Sequence, residues 1–266
     1  MAHLYYDEAL QDADFALGAR FVISGDEAKH AVKVARLRAG EEILLGNGRG
    51  TLAKGEASPL AGGAAAFEFT VGEIVYKDGI ATGSEAQNEP AYTPEIVLVQ
   101  ALAKGDRAER AVELCTELGV DSILPWAAKR SVSEWRGGDK ITRGIQKWQK
   151  IAREAAKQSL RHTVPEIGDL VTLKNLCEKA AAKENLTIIL DPWQASNFSE
   201  VMSRVSSEKP CQITLIVGPE GGITETEISE LTAAGALTAV LGKNVLRTST
   251  AGAAAIAVTH TALNNW

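Results

Sequence analysis

Between Ile213 and Val258 the chain twice runs from a short apolar stretch into a glycine-bearing loop and on toward a helix. Ile213 to Val217 is β-branched and aliphatic, which predicts a buried strand. It breaks into Gly218-Pro219-Glu220-Gly221-Gly222, too glycine-rich for helix or strand. Glycine tolerates φ > 0 and lets a ligand approach bare backbone, and Gly221 and Gly242 are the positions expected to serve that purpose. Thr224 with Glu227 three residues on makes a capping box, so a helix should begin there. In the second unit Ala239 to Leu241 reads as a strand and Gly242 to Asn244 as a turn. Thr248-Ser249-Thr250 then offers caps for a last, alanine-rich helix. Two such units side by side form a ligand crevice at the strand ends of an α/β sheet.

The dinucleotide fingerprint G-x-G-x-x-G and the phosphate loop G-x-x-x-x-G-K-[ST] are both absent. The first loop holds no lysine, and Glu220 would repel a phosphate. A nucleoside triphosphate is therefore disfavoured. A ligand read by backbone groups and carrying positive charge fits better. For either loop alone, glycines that serve only tight turns are an equal alternative.

GPEGG followed by I-x-x-x-E, then L-G-x-x-V-L-R-T-x-T-A, resembles the two C-terminal signatures of the SPOUT-class methyltransferases, and more narrowly the 16S ribosomal RNA uridine N3-methyltransferases. The resemblance implies a deep trefoil knot that binds S-adenosylmethionine, a sulfonium cation that suits Glu220. It assigns the donor to Leu190, Val217, Gly218, Pro219, Glu220, Gly221, Gly222, Leu241, Gly242, Val245, Leu246, Thr250 and Ala251. Many members of that family carry Glu where this chain has Ser249. Arg247, just before the last helix, is the expected catalytic residue; pairing with Glu220 or clamping a phosphate are its competing roles.

The chain has 266 residues, 45% hydrophobic and 23% charged, with net charge −6. One or two globular domains are expected, and a global acidic balance argues mildly against RNA. Cys115, Cys177 and Cys211 have no paired spacing, and Cys115 and Cys211 read as buried thiols. His3, His30, His162 and His260 are scattered, so no metal site is expected. No long apolar run or signal peptide is present, so a cytoplasmic location without membrane contact is expected.

Residues 1–76 read as a small β-barrel: strands at Ala19–Ser24, Glu42–Leu45, Thr51–Gly55 and Ala65–Val75, an Asn47-Gly48 hairpin turn, and one helix at Asp26–Arg36. HAVKVARLRAGEEILLGNGRG resembles the same family's amino-terminal signature, which implies a PUA-like RNA-binding domain with His30 and Arg36 facing RNA. Residues 77–93 are polar and read as a linker. From residue 94 on, strands at Ile96–Leu102 and Ser122–Pro125 flank a helix at Arg107–Leu118, the pattern of a parallel α/β layer. Further helices are expected at Leu170–Ala182 and Ser199–Val205, and a strand at Leu186–Leu190.

The run from Lys140 to Arg161 is the clearest basic feature. On a helical wheel Arg143, Lys147, Lys150, Arg153, Lys157 and Arg161 share an arc of about 120°, which is either a solvated face or an RNA contact. The following EAAKQSLRHTVPEI, with KGDRAERAVELCTELGVDSILPW and KRSV before it, matches the same family. This adds Lys104, Arg130 and Gln158 to Lys147, Lys150, Lys157 and Arg161 as RNA contacts.

The resulting expectation is a PUA-like barrel followed by a SPOUT α/β domain. It would be a homodimer that methylates uridine N3 in 16S ribosomal RNA, either naked or in the assembled small ribosomal subunit. The rivals are a ribose 2′-O-methyltransferase of the same class and a non-catalytic RNA-binding adaptor.

Overall fold

The computed structural model describes residues 3–62, 65–77, 80–82, 92–193 and 196–266. It divides into two compact units, residues 1–89 with 156–164, and residues 90–155 with 165–266.

The first unit is built on a six-stranded mixed sheet. Its strands are β1 (Leu4–Tyr6), β2 (Arg20–Ile23), β3 (Glu41–Gly46), β4 (Leu52–Pro59), β5 (Phe67–Lys77) and β6 (Ile80–Ala81). The order is β1-β3-β4-β5-β2, with β6 on β5. β1 runs parallel to β3 and the other pairs are antiparallel. The alternation of FEFTV works as written: Phe67, Phe69 and Val71 are buried against Tyr5, Ile43, Leu45 and Ala57. Each such side chain taken from water stabilises by about 1.5–3 kcal/mol. Gly55 sits at a register shift between β4 and β5, where a Cβ would stand 2.0 Å from the Thr70 carbonyl oxygen, so only glycine fits. The β3–β4 turn is tied by Asn47, whose Oδ1 accepts the Arg49 and Thr51 N–H groups and whose Nδ2 donates to Asp12.

The helix expected over Asp26–Arg36 is shorter. α1 covers Gly25–Lys29 and widens into a π-turn at His30–Val34, closed by the Ala35 N–H on the His30 carbonyl at 2.9 Å. Arg36 then takes φ 58° and ends it. The barrel was expected to stop at residue 76 and the linker to start at 77. Instead β5 reaches Lys77 and β6 adds to it; most of the remaining linker, 83–91, lies outside the described residues.

Residues 156–164 also complete this unit. Ala156 packs with Leu4, Tyr6 and Leu52. The Tyr6 hydroxyl donates to the Arg161 carbonyl at 2.6 Å, and His162 stacks on Tyr76 at 4.1 Å. Lys157 is buried, its Nζ 3.0 Å from Glu27 Oε1 and 5.9 Å from the centroid of Tyr5. Burial, then the charges of Glu41 and Glu27, pushes the Tyr5 hydroxyl up to about 12, so the ring stays neutral.

The second unit is a six-stranded, wholly parallel sheet: β7 (Glu95–Ala101), β8 (Ser122–Trp126), β9 (Glu166–Ile167), β10 (Asn185–Leu190), β11 (Gln212–Val217) and β12 (Leu237–Ala239), in the order β12-β10-β11-β7-β8-β9. Period-2 alternation divides its strands between two cores. Ile96, Leu98, Ile188, Leu215 and Val217 meet α2 (Arg107–Glu117) and α8 (Thr248–Ala262), while Val99, Ile189 and Ile216 meet α4 (Leu173–Ala180) and α7 (Glu225–Ala233). Both faces are therefore covered, as a parallel sheet requires.

α3 (Gly138–Gln158) begins by burying Trp148 and Ala152 in this unit. α5 (Phe198–Met202) and α6 (Val205–Glu208) replace the single helix expected over Ser199–Val205. Cys115 is buried, which pushes its thiol pKa up, but Cys211 is exposed because β11 begins only at Gln212. One face of α8 serves internal packing, while Ala254 and Ala257 are only half-buried. A Cβ on Gly252 would meet Leu98 at 2.9 Å and the Cys115 sulfur at 3.2 Å, and Ala253, Ala255 and Ile256 are buried.

Lys157 thus belongs to a buried ion pair and not to a solvent-facing stripe. Lys157→Ala would break this buried pair and should lower unfolding stability by about 3 kcal/mol. Urea titration of the variant against the parent checks this; a loss under about 0.5 kcal/mol, the size of a surface change, would contradict it.

Candidate active site

Because the strands are parallel, β10, β11 and β12 end on the same edge of the sheet. A cavity of about 1170 Å³ lies there, lined by the strand-end residues Leu190, Val217 and Ala239 and the loops that follow. It is the crevice position of an open α/β sheet.

The first loop turns tightly: the Gly222 N–H donates to the Pro219 carbonyl at 2.9 Å, and Gly222 takes φ 73°. The capping box then starts α7, with Glu227 buried. Its Oε2 accepts the N–H and hydroxyl of Thr224, and its Oε1 accepts the Lys129 N–H at 2.8 Å. The second loop departs from expectation. β12 ends at Ala239, two residues before the expected Leu241, and Gly242 stands at φ 126° with open space where a Cβ would be. Nor do Thr248, Ser249 and Thr250 cap the last helix; all three lie inside α8, whose N-cap is Arg247. Ser249 is buried in the first turn.

Thr248 has a different task. Its hydroxyl donates to the Gly218 carbonyl at 2.7 Å and accepts from Gln100 Nε2 at 2.9 Å, both side chains being buried. One hydroxyl thereby ties β7, the first glycine loop and α8 together. A lone Gln in IVLVQAL carried no signal for this.

Of the residues expected around the donor, Leu190, Val217, Gly218, Pro219, Glu220, Gly221, Gly222, Leu241, Val245, Leu246 and Ala251 line the cavity, and so does Arg247. Gly242 and Thr250 lie beside lining residues without lining it themselves. Gly221 does not face a vacant approach: a Cβ there would meet Arg130 Cβ at 3.1 Å, and Arg130 Nη1 donates to the Gly221 carbonyl at 3.0 Å. Arg130, expected on RNA, is thus a cavity residue. The sequence reading also missed Asp191, Trp193, Ile223 and Ile228 on the wall.

Glu220 is engaged elsewhere than expected. Its carboxylate pairs with Arg107 at 2.5 Å and accepts the Lys104 N–H at 3.0 Å. Burial alone would raise its pKa, but its own N–H, Arg107 and the Lys104 N–H outweigh that and hold the carboxyl below its ordinary value. It is ionised at neutral pH, and its partner is not Arg247. Among the described residues, the Arg247 guanidinium has no ion pair, and it lines the cavity at the amino end of a helix whose dipole adds positive potential.

The other expected RNA contacts are distributed over both units. His30 and Arg36 are exposed on the first. Gln158 is the exposed last residue of α3, and Arg161 lies beyond the helix end, so it cannot share the helical stripe. On the second unit Lys147 pairs with Glu109 at 2.7 Å, while Arg143 and Lys150 are exposed. Among the described residues, no helix is long and apolar enough to cross a membrane and no group of His, Cys, Asp and Glu could hold a metal.

An RNA methyltransferase domain matches residues 90–260, and an RNA methyltransferase PUA domain matches residues 23–57. The protein of Mycobacterium tuberculosis (strain CDC 1551 / Oshkosh) named Ribosomal RNA small subunit methyltransferase E is 33% identical over 271 residues, covering 100% of this chain and 94% of the relative. Its Bacillus subtilis (strain 168) namesake is 31% identical over 237 residues, 87% of this chain and 86% of the relative. The crystal structure of a Ribosomal RNA small subunit methyltransferase E from Neisseria gonorrhoeae bound to S-adenosyl methionine superposes with TM-score 0.80 at 26% identity, covering 98% of each chain. On this full-length similarity, the chain belongs to the RNA methyltransferase family of the Ribosomal RNA small subunit methyltransferase E proteins.

Proposed function

We propose that this chain transfers a methyl group from S-adenosylmethionine to N3 of a uridine in 16S ribosomal RNA, acting as a cytoplasmic homodimer. The observation that carries the reading is the convergence of two glycine loops and Arg247 on one cavity at the strand ends. The uridine N3 assignment rests on the resemblance of the signature motifs.

The residues present fit the donor. Leu190, Val217, Leu241 and Leu246 offer apolar walls to a flat heterocycle. Gly222 and Gly242 hold positive φ, with open space where a Cβ would be at Gly242 and only Arg130 Nη1, at 3.8 Å, near that point at Gly222. No lysine lines the cavity, which matches a ligand without phosphates. When bound, S-adenosylmethionine supplies an electrophilic methyl group on a cationic sulfur.

The protein's own task is the nucleophile. Uridine N3 carries a proton whose acidity is of the order of a phenol, about 10 on the tyrosine scale, so ionising it at pH 7 costs roughly 4 kcal/mol. Arg247, unpaired among the described residues, is suited to stabilise negative charge on the uracil carbonyls as the proton leaves. Arg107 cannot share this role while Glu220 neutralises it. Of the cavity carboxylates, Glu225 is exposed and is the one suited to take the proton. Arg143 and Lys150, exposed on α3, are the cations best placed for RNA phosphates.

Gly242→Val should weaken donor binding at least tenfold while the fold survives, because valine strongly resists φ 126°. Isothermal titration with S-adenosylmethionine checks it; unchanged affinity in a folded variant removes the second loop from the donor site. Arg247→Ala should cut the single-turnover rate at saturating RNA and donor by roughly 100-fold, with partial recovery at high pH as N3 ionises unaided. A saturated rate equal to the parent's at every pH, with only RNA affinity lost, makes Arg247 a positioning residue. Loss of both Arg143 and Lys150 to alanine should flatten the log–log salt dependence of RNA binding by about 0.7–0.9 per residue; an unchanged slope means that this face only meets water.

A further inference from the structure

We propose that Trp193 is the platform on which the target pyrimidine base stacks when it enters the cavity. The inference rests on the methyl-transfer reading above and adds the residue that holds the acceptor. An enzyme that acts on a base must take it out of its stack, and an unstacked base is most readily held on an aromatic face.

Trp193 differs from the other four tryptophans. Trp126 and Trp148 are buried in the cores, Trp135 packs edge-on against Trp148, and Trp266 stacks on His260. Trp193 is 82% exposed, makes no ring contact among the described residues, and lines the cavity. An indole this exposed gains free energy when a flat ring covers its face.

Its root is fixed. The Asp191 N–H extends the β10–β12 pairing by donating to the Ala239 carbonyl at 3.1 Å, and the Trp193 N–H donates to Asp191 Oδ1 at 3.2 Å. To the same cavity the second loop contributes Val245, 65% exposed, Leu246, and Arg247. Apolar surface with one cation beside it suits a flat, neutral ring that becomes anionic as it loses its N3 proton.

The test compares Trp193→Ala, Trp193→Phe and the parent. With small-subunit RNA, kcat/KM should fall about tenfold or more in the alanine variant, the size of one base–aromatic stack, and stay within a few-fold of the parent in the phenylalanine variant. S-adenosylmethionine affinity by calorimetry and oligomeric state by light scattering should be unchanged in both. A short uridine-containing single strand should quench the indole fluorescence of the parent, and Trp193→Phe should abolish that quenching. Equal kcat/KM in the parent and the alanine variant overturns the proposal, as does equal loss in alanine and phenylalanine. Weakened donor binding would make Trp193 an adenine neighbour, and a changed oligomeric state would make it a subunit contact; either overturns it. A parent that quenches on the oligonucleotide but methylates no ribosomal RNA keeps the stacking site and sinks the functional reading instead.

Discussion

The hydroxyl of Thr248 holds the catalytic half of this protein in register. It accepts from Gln100 on the central strand β7 and donates to the carbonyl of Gly218, where the first glycine loop leaves β11. Strand, loop and final helix are three separate segments of chain, and the loop backbone has no sheet or helix ladder of its own. Gln100 and Thr248 are both buried, so losing the bond between them would strand a polar group away from water at a cost of about 1–3 kcal/mol. Such a cost makes the arrangement specific: α8 can start only where its first residue reaches both groups. Arg247, one residue earlier, is placed at the cavity by the same anchor.

The second constraint is how the cavity's charges are shared out. Three guanidiniums and three carboxylates line one space. Arg107 is bound to Glu220, and Arg130 is turned onto the Gly221 carbonyl. Both cations therefore brace the first loop from α2 and from the segment after β8. What remains is a single guanidinium at a helix amino end, beside apolar wall. A site built this way has local positive potential without net positive lining, which agrees with a chain whose overall charge is −6.

Much of this was legible from the residues. Alternation in FEFTVGEIV and the aliphatic runs IVLVQAL, LTIIL and ITLIV gave strands within a few residues, because a parallel strand covered on both faces must be apolar throughout. The Thr224–Glu227 box marked its helix start, since local hydrogen bonding decides a cap. The glycine loops pointed to a crevice. Other features were closed to a one-dimensional reading because they depend on partners far along the chain. Lys157 read as part of a helical stripe, and only the position of Glu27, 130 residues away, reveals it as a buried pair. Glu220 read as open to a cation until Arg107 was seen beside it. Thr248 to Thr250 have cap chemistry, yet the pull of Gln100 and Gly218 on Thr248 draws the helix start back to it.

The first unit is discontinuous in sequence, and this limits how the chain can be cut or made. A fragment ending at residue 89 would hold the whole mixed sheet but lose the Lys157 partner of Glu27 and the Arg161 carbonyl that the Tyr6 hydroxyl reaches. During synthesis from the amino end, the sheet can form early but cannot close its last apolar patch until Ala156 has been made. By then α2, β8 and most of α3 already exist. The β-rich unit is the first to begin, but its completion waits for synthesis of the other unit's amino-terminal part.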